Sequence, residues 1–510
     1  MGELVATFAL AQDNAFGQPL ESQLRSCLLA SWIGEEAGFD DELRDTTYWV
    51  ALMRYIGCTG HAHEVATVFG DEIAIRAQTL IHDAGNPVEV MQDVIAFARA
   101  NYPPEAHDEV KQSLQAGAYE WAVNNFASGC EVGDMLVGRL DFSPEVRDAL
   151  AFTFERWNGN GFPAGASGDQ IPLAMRVVHL SHDMEAIGRL FSPTAAVDAA
   201  RARSGETYDP RFAEIFVTHG LAWFDRLAKL EPWDAVLAME PEPHRTLKGA
   251  ELDDALVVVA DFIDLKSPFM AGHSRRCAQL VTDAAGAMAL DEPTTINLRR
   301  AALVHELGTT AVPNSIWDKP SPLTRAEFDR VEIHPMLTEQ MLRRSPALAE
   351  LNPVACAHHE KADGSGYHKR LAENLIDPAA GVLAAADIYV ALTTDRADRP
   401  AFTPDLAASE LVRLRGAGVL STVATEAVLT AAGHGGPAPA KSTTNPGGLT
   451  RREVEVLRLA ARGLTTKEIA EDLYISPKTA DHHIQHVYTK IDVSTRAAAC
   501  LWAMQNGVVE

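Results

Sequence analysis

Histidines and acidic residues gather in and around residues 297–367, at the breaks between apolar helical runs. Imidazole nitrogens and carboxylate oxygens are ligands that first-row divalent metals take in proteins. The chain contains 18 histidines, so chance scatter is the alternative explanation. The ordered series favours a metal site instead, and its members are His273, His305, Glu306, His334, His358, His359, Asp363 and Asp387.

Six motifs carry these residues in a fixed order. They read HSRR (273–276), ALVHELG (302–308), VPNSIWDKPSPLT (312–324), HP (334–335), HHEKADGSGY (358–367) and AADIYVALT (385–393). In order and spacing they resemble the HD-GYP phosphodiesterases, over roughly residues 250–402. The resemblance implies an all-helical domain with two iron or manganese ions that hydrolyses cyclic di-GMP or a related phosphodiester.

The resemblance also implies a role for individual motif residues. The implied metal ligands are His273, His305, Glu306, His334, His358, His359 and Asp387. We expect Glu306 and Asp363 to act in catalysis. The loop 363–367 offers backbone N–H groups and an aromatic face to a guanine-like base or a phosphate. The expected substrate contacts are Arg276, Gly364, Ser365, Gly366 and Tyr367.

Three positions depart from the family pattern. The HD pair reads His305 and Glu306, the lysine that follows it is Thr309, and the GYP triplet ends in His368. The extra methylene of Glu306 moves the carboxylate oxygens, and Thr309 removes a cation that lies close to the phosphate in the family. We therefore expect metal binding to be retained and turnover to be reduced.

The first part of the chain repeats the pattern of the metal domain. Positions 22 and 54 are 32 residues apart, as are 273 and 305, and positions 158 and 182 are 24 apart, as are 363 and 387. The offset falls from 251 to 205, which indicates 46 extra residues in the middle of the first copy. At the ligand positions the first copy holds Ser22, Arg54, Tyr55, Thr153, Phe154 and His182. Four of these six are poor or impossible metal ligands, so we expect metal in the second copy only.

Residues 449–510 read as four helices. Thr450 begins the first, with Glu453 completing a capping box, and Gly463 ends it. Pro477 opens the third helix at a position where a missing N–H has no cost, and Ser494 is expected to cap the last. This segment resembles the LuxR-type helix-turn-helix over essentially its whole length, which implies binding to double-stranded DNA.

The third helix of a helix-turn-helix enters the major groove. An apolar stripe predicts its inward face, formed by Ala480, Ile484, Val487 and Ile491. The expected DNA contacts are Lys478, Thr479, Asp481, His482, Gln485 and Lys490. Residues 448–510 hold eight basic and eight acidic residues, so one copy should bind DNA weakly and a homodimer is expected.

Composition bounds the whole chain of 510 residues. A net charge of −26 keeps most of the surface away from nucleic acid and anionic membranes. No apolar run approaches the ~18 residues of a membrane span, and no signal peptide is evident, so we expect a cytoplasmic protein without membrane association. Six cysteines without a C-x-x-C pair predict neither disulfides nor a zinc knuckle.

The fold class predicted from these patterns is all-α. The predicted domains are a degenerate HD-type domain (1–230), a linker (231–249), an HD-GYP-like metal domain (250–432), a flexible linker (433–448) and a helix-turn-helix domain (449–510). Two functions fit. One is a transcription regulator whose tandem HD module binds metal and senses, or also hydrolyses, a cyclic nucleotide. The other is an active phosphodiesterase of cyclic di-GMP type with an accessory DNA-binding domain.

Overall fold

The computed structural model describes residues 1–83, 86–104, 107–434 and 446–509. Over these residues the chain is built from helices, and extended pairing is limited to isolated bridges. The all-α prediction is therefore confirmed. Residues 435–445 of the predicted flexible linker lie outside the described residues.

The chain divides into two compact units, Met1–Leu247 and Lys248–Glu510. Short 3-10 turns at Cys58–His61 and Gly168–Gln170 interrupt the helices of the first unit. Those helices are Gly2–Ala15, Ser22–Glu36, Asp41–Met53, Ala62–Phe69, Glu72–Thr79, Pro87–Asn101, His107–Arg139, Pro144–Leu150, Leu173–Leu190, Pro193–Ala202, Pro210–Leu227 and Pro232–Leu237.

The second unit holds the metal-domain motifs and the predicted helix-turn-helix. Its longer helices before residue 435 are Ala250–Asp264, His273–Ala287, Glu292–Val304, Arg325–Glu332, His334–Leu342, Pro378–Leu392, Pro404–Gly416 and Thr422–Ala431. Single turns of helix lie at Asn314–Trp317, Pro346–Ala349 and Asn352–Ala355. Turns of 3-10 helix lie at Leu307–Ala311, Glu373–Leu375 and Pro446–Gly448. The last four helices are Arg451–Ala461, Thr466–Asp472, Pro477–Ile491 and Arg496–Gln505.

The two units repeat the same helices in their first halves. Helices Ser22–Glu36 and His273–Ala287 begin and end at positions 251 apart, and so do Asp41–Met53 and Glu292–Val304. A buried aspartate precedes the first of these repeated helices in each unit. Asp13 accepts a hydrogen bond from the amide of residue 23 at 3.0 Å, and Asp264 accepts one from the amide of residue 274 at 2.8 Å. Burial raises the pKa of both carboxyl groups.

The second halves of the units repeat at an offset of 205. The amide of Phe162 donates to the carbonyl of residue 154 at 2.9 Å, and the amide of Tyr367 donates to that of residue 359 at 3.1 Å. Beside each bond a buried glutamate, Glu155 or Glu360, accepts two backbone amides from the following loop. Matching contacts at a constant offset support an internal duplication.

A close backbone contact joins the two halves of each unit. A Cβ at Gly308 would lie 2.0 Å from the carbonyl oxygen of His334, and one at Gly57 would lie 1.8 Å from that of Gly129. Such distances leave room for glycine alone. Since 129 and 334 differ by 205, Gly129 is the first unit's counterpart of His334.

The predicted linker 231–249 contains an ordered helix, Pro232–Leu237. Trp233 and Val236 are buried, and the Val236 carbonyl accepts a hydrogen bond from the Tyr48 hydroxyl at 3.2 Å. Pro232 therefore begins a helix that packs within the first unit. The connection to the second unit follows that helix.

The first three of the four C-terminal helices share a small core, formed by Val456, Leu459, Ala460, Ile469, Ala470 and Ala480. Capping boxes begin two of them, with Thr450 paired to Glu453 and Thr465 paired to Glu468. Ser476 caps the third, as predicted. The prediction for the last helix was one residue early. Its cap is Thr495, because the helix begins at Arg496 and the amide three residues after the cap is that of Ala498.

The Gly308 contact predicts a sharp stability effect. Gly308→Ala should lower stability by about 3 kcal/mol or more, because the new methyl overlaps a backbone carbonyl that cannot retreat. Gly286→Ala is the matched control, since that exposed helical glycine has open space around it and alanine favours helix. Thermal unfolding followed by circular dichroism compares the two. Equal melting temperatures would contradict the contact.

Candidate metal centre

Eight side chains form two neighbouring clusters of potential metal ligands. The first donor group comprises His273, Cys277, His305 and Asp387, and the second comprises Glu306, His334, His358 and His359. Within each group the donor atoms lie within 4.8 Å of one another. All seven ligands predicted from the sequence are thus brought together. Cys277 was not predicted, although its spacing of four residues from His273 along a helix was a usable signal.

Most of these side chains lie at or just beyond the ends of helices. His273 is the first residue of its helix and follows Gly272, whose φ is 73°. His305 and Glu306 follow helix Glu292–Val304, where the chain tightens into a 3-10 turn. These two neighbours in sequence point to different donor groups. Asp387 instead comes from the middle of helix Pro378–Leu392.

Three of the histidines are oriented by their own backbone. In each, Nδ1 lies close to the carbonyl oxygen three residues earlier, and a carbonyl can only accept, so Nδ1 carries the hydrogen. The bonds are His305 to Ala302 at 2.8 Å, His334 to Val331 at 2.7 Å and His358 to Ala355 at 2.6 Å. The Nε2 atom of each neutral ring is then a lone-pair donor that faces the site.

The facing atoms fit a cation. The Nε2 atoms of His334 and His358 are 3.2 Å apart, and Nε2 of His334 is 3.3 Å from Oε2 of Glu306. Nε2 of His305 and Oε2 of Glu306 are buried and make no hydrogen bond among the described residues. Buried lone pairs at such distances repel one another unless a positive charge lies between them. A divalent metal ion meets this requirement.

The electrostatics of the site favour the ligand forms of these groups. Burial lowers the pKa of His305, His334 and His358 to about 3, so their rings are neutral at physiological pH. Burial and the charge of Asp387 raise the pKa of Glu306. Two buried carboxyl groups in one site therefore oppose each other's ionisation, and a bound cation removes that opposition.

The glycine loop covers the second donor group. The ring centroids of Tyr367 and His359 are 4.4 Å apart, and the Tyr367 ring packs edge-on against Phe328 at 5.7 Å. A Cβ at Gly366 would lie 2.5 Å from the Cα of Glu360, so this close turn requires glycine. The close backbone contact at Gly366 holds the Tyr367 ring beside the second donor group.

Asp363 has a structural role in this loop. Its Oδ1 accepts a hydrogen bond from the Ser365 amide at 2.9 Å, the side chain is exposed, and Gly364 follows with φ 75°. Asp363 belongs to neither donor group. Its predicted catalytic role has no described contact to support it.

Two arginines bring positive charge to the site. Arg276 donates from Nη2 to the Thr394 hydroxyl at 2.8 Å. Arg396 was not predicted from the sequence. Burial lowers the pKa of His273, and the charges of Arg396 and Arg276 lower it further. By contrast, Thr309, where the family has lysine, donates its hydroxyl to the Glu306 carbonyl at 2.7 Å. Cationic side chains thus enter from residues 276 and 396.

The first unit closes the corresponding space with its own side chains. The Arg54 guanidinium is buried, lies over the Tyr55 ring at 5.1 Å and donates to the Val178 carbonyl at 3.3 Å. The Tyr55 hydroxyl is 3.3 Å from Nε2 of His182, whose Nδ1 contacts Asp183 at 2.9 Å. Among the described residues of this unit, no cluster of three or more potential ligands is found.

The extra residues of the first copy contribute to that closure. Arg76 lies over the Phe16 ring at 5.1 Å, and Asp83 forms a buried ion pair with Arg156 at 3.3 Å. The Thr207 hydroxyl also donates to Asp83 at 3.0 Å. Arg76 and Asp83 are therefore engaged by protein partners within this unit.

The third helix of the C-terminal segment presents a polar outer face. Its inward stripe is buried at Ala480, Val487 and Ile491 and partly buried at Ile484. All six predicted DNA contacts are exposed, and they are Lys478, Thr479, Asp481, His482, Gln485 and Lys490.

Two of the six, Thr479 and Lys490, also make contacts within the protein. The hydroxyl of Thr479 lies 2.8 Å from that of Ser476 at the start of the helix. Lys490 donates to Glu453 at 2.6 Å, and so ties the third helix to the capping box of the first. The structure therefore gives both residues a role in stabilising the domain.

Comparison with known families agrees with this geometry. Residues 257–419 match the family described as HD domain, and residues 448–503 match the family described as bacterial regulatory proteins, luxR family. The chain carries an HD domain and a LuxR-type helix-turn-helix domain. HD domains of this family are metal-dependent hydrolases, and the LuxR-type domain indicates DNA binding.

Relatives of the HD part are cyclic dinucleotide phosphodiesterases. The chain is 29% identical over 419 residues to 3'3'-cGAMP-specific phosphodiesterase 3 of Vibrio cholerae, covering 80% of this chain and 89% of that protein. It is 35% identical over 122 residues to a cyclic di-GMP phosphodiesterase of Vibrio cholerae, covering 22% of this chain and 25% of that protein. The crystal structure of a cyclic GMP-AMP specific phosphodiesterase of V. cholerae (V-cGAP3) matches with a TM-score of 0.57 and 25% identity, covering 84% of this chain and 97% of that chain.

Over the described residues, no helix combines the length and the apolarity that a membrane crossing requires.

The donor groups predict where metal is bound. His305→Ala should remove most of the metal, because it deletes a ligand and loosens the chain at Glu306, whereas Arg54→Ala at the equivalent position of the first unit should leave metal content unchanged. Elemental analysis of purified protein measures both. Equal loss in the two variants would contradict the assignment of metal to the second unit.

The exposed face of the third LuxR-type helix predicts sequence reading. His482→Ala and Gln485→Ala should change the preferred DNA sequence, because side chains that contact base edges discriminate between bases. Lys467→Ala, an exposed residue on the preceding helix, is the control. Binding to a randomised DNA library, followed by sequencing, reports the preference. A uniform loss of affinity on every sequence would mean that these side chains do not read bases.

Proposed function

We propose that this chain is a transcription regulator whose second unit binds two divalent metal ions and, with them, a guanine-containing cyclic dinucleotide. Slow hydrolysis of the nucleotide ends the signal. The observation that carries the proposal is the pair of donor groups, in which Nε2 of His305 and Oε2 of Glu306 are buried without a hydrogen-bond partner among the described residues.

The donor set supports iron or manganese, because imidazole and carboxylate ligands suit both metals. When bound, the ions supply a hydroxide nucleophile at neutral pH and positive charge for the phosphoryl oxygens. The protein's own part is to fix the ligands. His305 and Glu306 are adjacent in the chain and belong to different groups, so one helix end sets the positions of both.

The nucleotide is assigned from the chemistry around the donor groups. Tyr367 offers a ring face for a base, a contact worth about 1–3 kcal/mol in other proteins. Arg276 and Arg396 offer guanidinium groups for phosphate oxygens. The relative that spans both units is named for 3'3'-cGAMP, whereas the cyclic di-GMP phosphodiesterase of Vibrio cholerae matches over 122 residues only. We therefore favour 3'3'-cGAMP over cyclic di-GMP.

Contacts within the second unit support coupling between nucleotide and DNA. Arg462, just after the first LuxR-type helix, forms an ion pair with Asp395, and a Cβ at Gly463 would lie 3.2 Å from the Pro268 ring. Asp395 adjoins Arg396, and Pro268 lies in the loop that leads to His273. The LuxR-type domain therefore contacts the two segments that border the first donor group.

This arrangement leaves the DNA-reading face exposed, so coupling does not need to mask it. A nucleotide that shifts the two bordering segments changes how the LuxR-type domain is held, provided that it binds one arrangement more tightly than the other. We propose that the active form is a cytoplasmic homodimer, in which two such domains contact two half-sites of double-stranded DNA.

A dedicated phosphodiesterase with an accessory DNA-binding domain is the second candidate. The complete set of ligands and the names of the relatives favour it. Against fast turnover stands Thr309, whose hydroxyl is held by a backbone carbonyl and which brings no charge to the phosphate.

Turnover separates the two candidates. Full-length protein loaded with Mn²⁺ should bind 3'3'-cGAMP and hydrolyse it slowly, and Thr309→Lys should raise kcat by about tenfold or more because it restores a cation beside the phosphate. Thr309→Val, similar in size and uncharged, should give no increase. Chromatography of the linear product measures the rate. Rapid turnover by the wild type would favour the dedicated enzyme.

DNA binding completes the test of the proposal. The nucleotide should change the affinity of the full-length protein for its DNA site, and Asp395→Ala should reduce this change because it removes the ion pair with Arg462. Asp398→Ala, an exposed carboxylate three residues away, is the control. DNA binding that ignores the nucleotide in the wild type would refute the regulatory proposal.

A further inference from the structure

Cys277 lies one helical turn after His273 on helix His273–Ala287. Side chains four residues apart share a helix face, so the two point the same way. The Cys277 sulfur is 3.5 Å from Nε2 of His273, and the residue is fully buried. This spacing suits two ligands of one ion.

The sulfur completes a set of four donors. Its neighbours in the first donor group are the side chains of His273, His305 and Asp387, with all donor atoms within 4.8 Å of one another. Four ligands of mixed nitrogen, oxygen and sulfur type make a familiar tetrahedral site. The second donor group, by contrast, contains nitrogen and oxygen only.

A second observation points to a ligand at the same place. Nε2 of His305 is fully buried and lacks a hydrogen-bond partner among the described residues. The Nδ1 hydrogen of this ring is donated to the Ala302 carbonyl, so Nε2 presents a lone pair beside the thiol. A cation bound in the first donor group satisfies it.

The surroundings of Cys277 also differ from those of other buried cysteines in the chain. All six cysteines are free thiols. Cys27 and Cys500 direct their sulfur atoms at backbone carbonyls, at 3.7 Å in each case. Cys277 instead faces an imidazole nitrogen and a carboxylate that are themselves candidate ligands.

We propose that Cys277 is a sulfur ligand of the ion in the first donor group, and that the two metal positions therefore select different metals. Thiolate favours zinc or iron at the first position, while the second, built from imidazole and carboxylate, accepts manganese. On binding, the thiol proton passes to solvent, since the thiolate is the ligand. This inference rests on the proposed metal centre and goes beyond it in giving the two ions unlike ligands.

X-ray absorption on the zinc-loaded full-length protein tests the inference directly. The wild type should show sulfur scattering at about 2.3 Å from zinc. Cobalt substitution gives an independent readout, because a thiolate ligand adds a near-ultraviolet charge-transfer band to bound Co²⁺. Both signals should be absent in Cys277→Val and present in Cys27→Val, a matched change of a buried cysteine in the first unit.

Metal stoichiometry separates failure of this inference from failure of the proposed function. Cys277→Val should lower zinc affinity by at least about tenfold and retain manganese at the second group. Two ions bound by the wild type without sulfur scattering would overturn the role of Cys277 and leave the proposed function standing. A wild type that binds no metal would overturn both. The wild-type spectrum decides the question even if the valine variant fails to fold.

Discussion

A buried imidazole that donates its Nδ1 hydrogen to its own backbone can satisfy its second nitrogen only with another partner. Three histidines of the second unit are in this position, and their Nε2 atoms converge on two carboxylates. The helix ends of this unit bring these atoms together. Gly308 provides the close backbone approach that brings the His334 helix to the turn after His305.

The first unit shows the same helices when that constraint is absent. Its equivalents of the ligand positions include an arginine, two aromatic residues and a glycine, and the glutamate-stabilised loop persists at an offset of 205. A buried charge pair there, Arg156 with Asp83, is formed within the protein. The first unit therefore keeps the helices of the fold without the ligand side chains.

Sequence patterns predicted the helical fold, the two matched families and the grouping of the seven ligand side chains. These features depend on motif order and on periodicity, which are visible in one dimension. The partner of Lys490, the position of Arg396 and the equivalence of Gly129 with His334 were not predicted, because each depends on which helix faces pack together. Cys277 was not predicted either, although its spacing from His273 is visible in the sequence. The segment that contains helix Pro232–Leu237 was predicted to be a linker because it holds three prolines. Proline is also common in the first turn of a helix, as Pro232 is here.

The segment between the turn Leu307–Ala311 and His334 has a further consequence. In the second unit it brings Trp317 to the edge of His334 and Phe328 to the edge of Tyr367. The first copy carries its 46 additional residues in the equivalent stretch. This segment can therefore change in length while the glycine contact at its two ends is kept, as it is in both units. Variation there alters the side chains beside the second donor group and leaves the ligands in place.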